Sequence, residues 1–517
     1  MAGFGFLMKY SFKTIAIISV VIIVLASVVG FYLAPMLIDM NLKGLNLKPG
    51  SDMRKLWEKT PFPLTLMVYI FNITNPMEVV QGKKPRLQQI GPYVFNEWKS
   101  KNVISDDDNE DSVTFDLINT YTFRPDLTHG LTGDEVVTVP HMMLMGGLIA
   151  AQRDRPGLLG IVIQAFQQIF EPEGTPFLTT KVMDLLFNGV GVDCNREDLE
   201  ASIVCPQIAN EKNIKKINDT YFTISLFGES NGTSLGKYKV YRGVKDVTKV
   251  GQVITFEDSE VSKVFKGDCG KINGTDGTIF APFHKKKDTF YSFSPVFCRS
   301  IGPVYKNEAS YNSVPTSVYN IQFGDFKSNP SQHCFCRDGD PEKCPPKGTI
   351  DNYACMGVPM IMSKPHFLDA DRNLLKAVDG LKPSKKLHDN YLQFEMQSGS
   401  PVSVKNRIQF ALQIEKIEDF DLMANMEPAI VPIFWIEESL DLPAKITNVM
   451  RYGIYLFQTI ISIIKYSGII IGLIGIFFAA YRSFDKSAGT KVNVPIPVIE
   501  NPLSGVNLQS RASAQKY

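Results

Sequence analysis

Two long apolar segments, one near each end, bound what this chain can become. Thr14 to Ala34 reads TIAIISVVIIVLASVVGFYLA, 21 residues without a charge. At 1.5 Å per residue, a helix of that length spans the ~30 Å hydrocarbon core of a bilayer. β-Branched residues dominate it, yet a lone segment in lipid satisfies its backbone only as a helix. A cleavable signal peptide has an apolar core of ~7–15 residues, shorter than this run, so a retained anchor is expected. The second segment runs from about Ile454 to Tyr481 and holds one charge, Lys465. A span of ~20 residues ending at Tyr481 starts near Gln458. Lys465 then lies within about two turns of the outer boundary and reads as a snorkelling anchor rather than part of an ion path. Gly468, Gly472 and Gly475 offer small-xxx-small spacing, a common pattern of close helix contact.

Lys and Arg near the helix ends set orientation. The N-terminal stub carries Lys9 and Lys13 and no acid, and the tail carries Arg482, Lys486, Lys491, Arg511 and Lys516. Both ends therefore read as cytosolic. The expected layout is a stub (1–13), a transmembrane helix (14–34), an extracellular ectodomain (35–457), a second transmembrane helix (458–481) and a cytosolic tail (482–517). This makes a two-helix plasma-membrane protein. The polar tail excludes a lipid-anchor signal, which would end in its apolar stretch. The overall net charge of +1 gives no support to nucleic-acid binding. It conceals a split, because the ectodomain holds 46 basic and 51 acidic residues, a net −5. The mean hydropathy of −0.02 conceals another, between membrane segments and a polar middle.

All eight cysteines lie in that middle: Cys194, Cys205, Cys269, Cys298, Cys334, Cys336, Cys344 and Cys355. An even count in a non-cytosolic segment argues for disulfides. Zinc is the rival, but Cys334-Phe-Cys336 is C-x-C rather than C-x₂-C, and the histidines are scattered. Cys194 and Cys205 are close in sequence and apart from the rest, so they are expected to pair. Spacing leaves the pairing of the other six open. Glycosylation sequons begin at Asn72, Asn218, Asn231 and Asn273, all in the same middle.

Leu64 to Phe71 reads as a buried strand, Gly91-Pro92-Tyr93-Val94-Phe95 opens another, and Ser112 to Phe123 alternates like a half-buried one. Ser105 to Asp111 is an acidic loop, read as a solvated hairpin tip rather than a calcium site. His141 to Phe170 reads as two helices broken at Arg153–Gly157. Thr179 to Phe187 reads as a third, capped by Thr179 or Thr180. This helical cluster (141–188) is rich in Met, and a Met-rich cluster is either core or an adaptable binding surface. Its candidates for a ligand entrance are Met142, Met145, Leu148, Ile149, Ile163, Phe166, Phe170 and Phe177. β patterning returns at Tyr221 and persists to about Ile436, with no linker that would split the domain. Gly228-Glu-Ser230-Asn-Gly232 matches the nucleophile-elbow string. The following SLGKYKVYRG reads as a strand where an elbow needs a helix, so a hairpin tip is expected and an enzyme is not.

Several stretches taken in order resemble one family. Ile90-Gly-Pro-Tyr93 with Trp98, Asn273-Gly-Thr-Asp276 followed by Pro282-Phe283, Cys298-Arg-Ser300 and Cys334-Phe-Cys336 resemble the class B scavenger receptors. So do Pro365-His-Phe367, Val378-Asp-Gly-Leu381-Lys-Pro383, Arg407-Ile-Gln409 and Pro432-Ile-Phe-Trp435. The segments Gly130-Leu-Thr-Gly-Asp-Glu135 and Lys181-Val-Met-Asp-Leu-Leu-Phe187, with the Cys194/Cys205 pair, are similar to the insect sensory neuron membrane protein branch. The resemblance implies a membrane protein with an α+β ectodomain: a large β-barrel-like domain, an apical helical bundle and an internal lipid tunnel. It implies disulfides Cys269–Cys334, Cys298–Cys355 and Cys336–Cys344. Fatty-acid-binding relatives place lysines in the apical segment, where this chain has Glu171-Pro-Glu-Gly-Thr-Pro176.

The function implied is a receptor or transfer protein for lipophilic ligands: pheromones, odorants or long-chain lipids. It would pass them to the membrane or to an olfactory receptor channel, with odorant carrier proteins as further partners. General lipid uptake in non-neuronal cells and a structural or adhesion role are the alternatives. No cofactor is expected beyond N-linked glycans, and no nucleic acid.

Overall fold

The computed structural model describes residues 11–489 apart from 197, 212 and 213. Lys9, Lys491, Arg511 and Lys516, which enter the orientation reading, lie outside them. The chain divides into two compact units, Met1–Leu37 with Leu456–Tyr517, and Ile38–Tyr455.

The first unit pairs two helices long and apolar enough to cross a membrane. Helix α1 spans Phe12–Lys43. The second apolar helix, labelled α6 below, covers Ala444–Met450 and continues through a π-type turn into Phe457–Gly489. Both overrun the apolar cores 14–34 and 458–481; the first passes Pro35 by way of a π-type turn at Val29–Leu33. The glycines mark the closest approach. A Cβ on Gly472 would lie 2.4 Å from Ile23 and 2.8 Å from the Ser19 carbonyl, and one on Gly468 2.7 Å from Ala26. The Lys465 stem lies across Gly30, and its Nζ sits 4.4 Å from the centre of the Phe31 ring.

This packing gives a direct test. A Cβ on Gly475 would lie 3.2 Å from that of Ser19, close to the ~3.5–4.5 Å of a disulfide. The double variant Ser19→Cys/Gly475→Cys should cross-link on oxidation. After cleavage at the exposed turn 108–110, the N-terminal fragment, which holds no other cysteine, should stay attached under denaturing conditions until reductant is added. Adding Gly472→Leu should abolish the cross-link.

The second unit is built on one antiparallel sheet. Its main strands are β1 (Leu64–Ile73), β2 (Leu87–Asp107), β3 (Ser112–Phe123), β4 (Ser234–Tyr241), β5 (Val253–Phe256), β6 (Val304–Tyr311), β7 (Val314–Asn320), β8 (Tyr391–Phe394), β9 (Pro401–Ile414) and β10 (Ala429–Asp441). Their order is 5-4-3-2-1-10-9-8-7-6. Apart from β5 and β6, each of these strands neighbours the next one named, and the first pairs with the last. No pairing joins β5 to β6 among the described residues, so the ladder is open where the barrel-like expectation suggests closure. Gly91 lies beside the register shift between Val68 and Ile70. Its φ is +133°, and a Cβ there would sit 2.8 Å from the Val68 carbonyl, a position open to glycine alone.

The hairpin tip between β2 and β3 is more than a solvated acidic loop. Arg54 holds Asp106 at 3.0 Å, and Arg242 holds Asp108 at 2.7 Å and Asp111 at 3.3 Å. Arg54 rides on the short helix α2 (Asp52–Glu58), whose N-cap Ser51 Oγ accepts from the Arg54 N–H at 3.1 Å. Ser51→Ala should cost about 1 kcal/mol in the denaturant midpoint of the purified protein.

Two helices of the cluster form as read, α3 (Met142–Asp154) and α4 (Leu159–Phe170). The third does not. Phe177–Lys181 is a strand paired with Val136–Pro140, and only 182–188 coils, ending in the π-type turn Asp184–Asn188. The β-branched Thr179 meets Thr138 across that pair, hydroxyl to hydroxyl at 2.9 Å, which fixes an extended backbone. The cluster's third helix is α5 (Leu199–Ala209), which carries Pro206 in its interior.

Candidate ligand-binding site

The apolar entrance candidates divide on inspection. Met145, Leu148 and Ile149 are fully buried, and Ile163, Phe166 and Phe177 nearly so, all in one core cluster. The packing is tight: a Cβ on Gly147 would lie 2.7 Å from the Phe166 ring. These six are core rather than entrance. Met142 differs, since it lines a small cavity with His141, Met143, Leu178, Leu185, Val190, Gly191, Val192, Ile224, Ser225 and Leu226. Phe170 reaches the same place through His141, the two rings meeting edge to face at 4.7 Å. His141 caps α3, its Nδ1 accepting from the Leu144 N–H at 3.2 Å. Burial pushes its pKa down to about 4, so it is neutral at physiological pH. The cavity floor comes from Val190–Asp193 and Tyr221–Ile224, which pair in a separate small sheet. Sequence periodicity could not place those residues opposite His141.

One face of the large sheet carries the second feature. Along β2, Phe95, Glu97, Lys99 and Lys101 alternate onto one side, opposite Phe123, Tyr121, Asn119 and Leu117 of β3. On the other flank, Leu66 pairs with both Phe95 and Glu438, and Glu438 with Asn406. Charges thus sit mid-strand in an apolar face. Lys99 Nζ bridges Glu438 at 2.6 Å and Glu97 at 3.1 Å. Asn119 Nδ2 donates to Glu97 at 2.8 Å. Burial raises the Glu97 carboxyl to about 7, with Lys99 opposing, while the two carboxylates hold Lys99 charged.

This polar layer separates two apolar groups. On one side Phe95, Phe187, Phe227, Phe434 and Tyr121 form a ladder of ring contacts at 4.8–6.1 Å. On the other, Trp57, Phe115, Tyr238 and Phe293 belong to a separate core cluster. Lys101 marks its edge, its Nζ donating to the Trp57 carbonyl at 2.9 Å. The sequence reading missed this layer. Its one local signal was three charges at period two in a strand that also carries Phe95 and Val103.

The other site residues fall as follows. The disulfides are Cys194–Cys205, Cys269–Cys334, Cys298–Cys355 and Cys336–Cys344. Asn218, Asn231 and Asn273 are exposed and Asn72 is half-buried. Gly228–Gly232 lies in turns between Tyr221–Ile224 and β4, and Ser230 Oγ donates to the Phe227 carbonyl. No helix follows it, so the nucleophile-elbow geometry is missing. In the apical segment Glu171 pairs with Arg196 at 2.7 Å.

Comparisons with known proteins agree along the whole length. A family model described as the CD36 family matches residues 17–483. Sensory neuron membrane protein 1 of Aedes aegypti is 43% identical over 466 residues, 90% of this chain and 85% of the relative. That of Anopheles gambiae is 40% identical, covering 95% and 91%. That of Mamestra brassicae is 37% identical, covering 86% of each.

Proposed function

The chain belongs to the CD36 family, and from that premise we propose that it captures lipophilic ligands outside the cell and passes them through its ectodomain to the membrane or an olfactory receptor channel. The observation that carries this reading is the apolar, aromatic lining of the sheet face, where Tyr121, Phe187 and Phe227 keep partial exposure inside a folded unit. The relatives' shared name, sensory neuron membrane protein 1, supports a sensory cell as its setting. The physical problem is escape of an apolar molecule into water. At about 0.8 kcal/mol per CH₂, a chain of ~16 carbons is held back by roughly 12 kcal/mol. A covered apolar path lowers that barrier. In this reading both termini are cytosolic and the ectodomain carries N-glycans at Asn72, Asn218, Asn231 and Asn273.

The test is an olfactory receptor expressed with and without this protein and challenged with a long-chain lipophilic ligand. Higher sensitivity and faster deactivation are expected with it. Identical responses in both cells would remove the proposal.

A further inference from the structure

The polar layer is built from four strands, and its hydrogen bonding is incomplete. Asn119 is 6% exposed, and its Oδ1 has no partner; neither has the buried Oδ1 of Asn406. Each asparagine is otherwise engaged, Asn119 with Glu97 and Asn406 with Glu438. Two amide oxygens are thus held in place without a donor, although buried polar atoms in folded proteins are nearly always paired. The Tyr121 hydroxyl accepts from Asn119 Nδ2 at 3.3 Å. No acceptor for its own hydrogen occurs among the described residues. The layer therefore presents acceptors that lack a donor and one donor that lacks an acceptor.

The charges restrict what can fill it. Lys99 is saturated by two carboxylates, one nearly buried and one a quarter exposed. A ligand carboxylate entering here would meet Glu97 and Glu438 with no free cation to pair with, and desolvating it unpaired is costly. A neutral group that both donates and accepts a hydrogen bond is a hydroxyl.

Resting on the lipid-capture reading, we propose that this layer binds the hydroxyl end of a neutral long-chain alcohol, its O–H donating to Asn119 Oδ1 and its oxygen accepting from the Tyr121 hydroxyl, with the chain laid along Phe187 and Phe227. Both side chains are partly accessible, and their rings lie 5.8 and 5.9 Å from that of Tyr121. An acetate or aldehyde can accept from Tyr121 but leaves the asparagine oxygens unmet.

The experiment measures equilibrium binding of hexadecanol, hexadecyl acetate and hexadecanoate to the full-length chain in detergent. Hexadecanol should bind about tenfold more tightly than hexadecanoate, the value of one or two well-placed hydrogen bonds. Asn119→Leu should weaken hexadecanol five- to tenfold and leave hexadecyl acetate unchanged. Tyr121→Phe, which keeps the ring and the strand register, should weaken both. It serves if Asn119→Leu fails to fold. Hexadecanoate binding as tightly as the alcohol overturns the inference, as does an alcohol affinity untouched by both variants. Binding that ignores the head group overturns it alone and leaves the lipid-capture reading standing. Failure of all three ligands to bind overturns both.

Discussion

Replacing Arg407 with Met should destabilise the protein by 3–5 kcal/mol, the usual cost of leaving one half of a buried ion pair alone. Arg407 and Glu437 face each other across β9 and β10. They are 8% and 6% exposed, with Nε 2.6 Å from Oε2. The guanidinium also donates to the Asp389 carbonyl at 2.6 Å, and Ser439 Oγ donates to Glu437 at 2.7 Å. Removing Arg407 leaves a carboxylate in a site with one hydroxyl for company. The double variant Arg407→Met/Glu437→Leu should recover most of the loss, because no charge then remains to be solvated. Denaturant unfolding of the four proteins gives the coupling energy, expected above about 2 kcal/mol. A coupling near zero would mean that water reaches the pair, and the buried description would fail.

How much of this was legible in the sequence depends on how local each cause is. Helices α1 and α6 were readable because an uncharged run of that length has few alternatives. Strands β1 and β3 were readable from alternation bounded by turns. Thr179-Thr-Lys181 was misread because its pairing partner lies about 40 residues earlier, in Val136–Pro140. Helix α5 went unread because Pro206 argues locally against it, while the Cys194–Cys205 bridge and packing override that preference. The glycines of α6 were visible as spacing. Their contact with Ser19, Ile23 and Ala26 was not, since it needs the other end of the chain. The polar layer is the extreme case. Glu97, Asn119, Asn406 and Glu438 come from four strands, and only the registers of four strand pairs, running through β1, bring them together. Read singly, each is an ordinary polar residue.

The same dispersal hides the group that governs acid stability. His366 and His388 stack at 4.2 Å, 15° from parallel, and both are buried. Gln89 Oε1 accepts from Trp435 Nε1 at 2.7 Å and sits 2.7 Å from His366 Nε2. Because that oxygen can only accept, Nε2 carries the hydrogen. His366 Nδ1 accepts from the Lys382 N–H at 3.0 Å, and His388 Nδ1 accepts from the Ser384 N–H at 3.0 Å. A proton on either Nδ1 would face an N–H donor. Burial first, then His388 beside His366 and the Arg407 guanidinium beside His388, depresses the pKa to about 3 for His366 and about 4 for His388. The unfolded chain, at about 6.5, takes up these protons first. Stability from this pair is therefore complete above pH 6.5 and falls as the pH drops toward 4. Between pH 6.5 and 4.5 each ring loses about 2.5 kcal/mol, and the pair on the order of 5 kcal/mol. Glu97 acts in the opposite sense, since a carboxyl raised to about 7 gains stability over the same interval. The informative quantity is therefore a difference between variants. In His388→Phe, which keeps an aromatic ring against His366, unfolding free energy should fall by about 2–3 kcal/mol less over that interval than in the wild type. Parallel pH profiles for the two proteins would show that His388 is already solvated in the folded state.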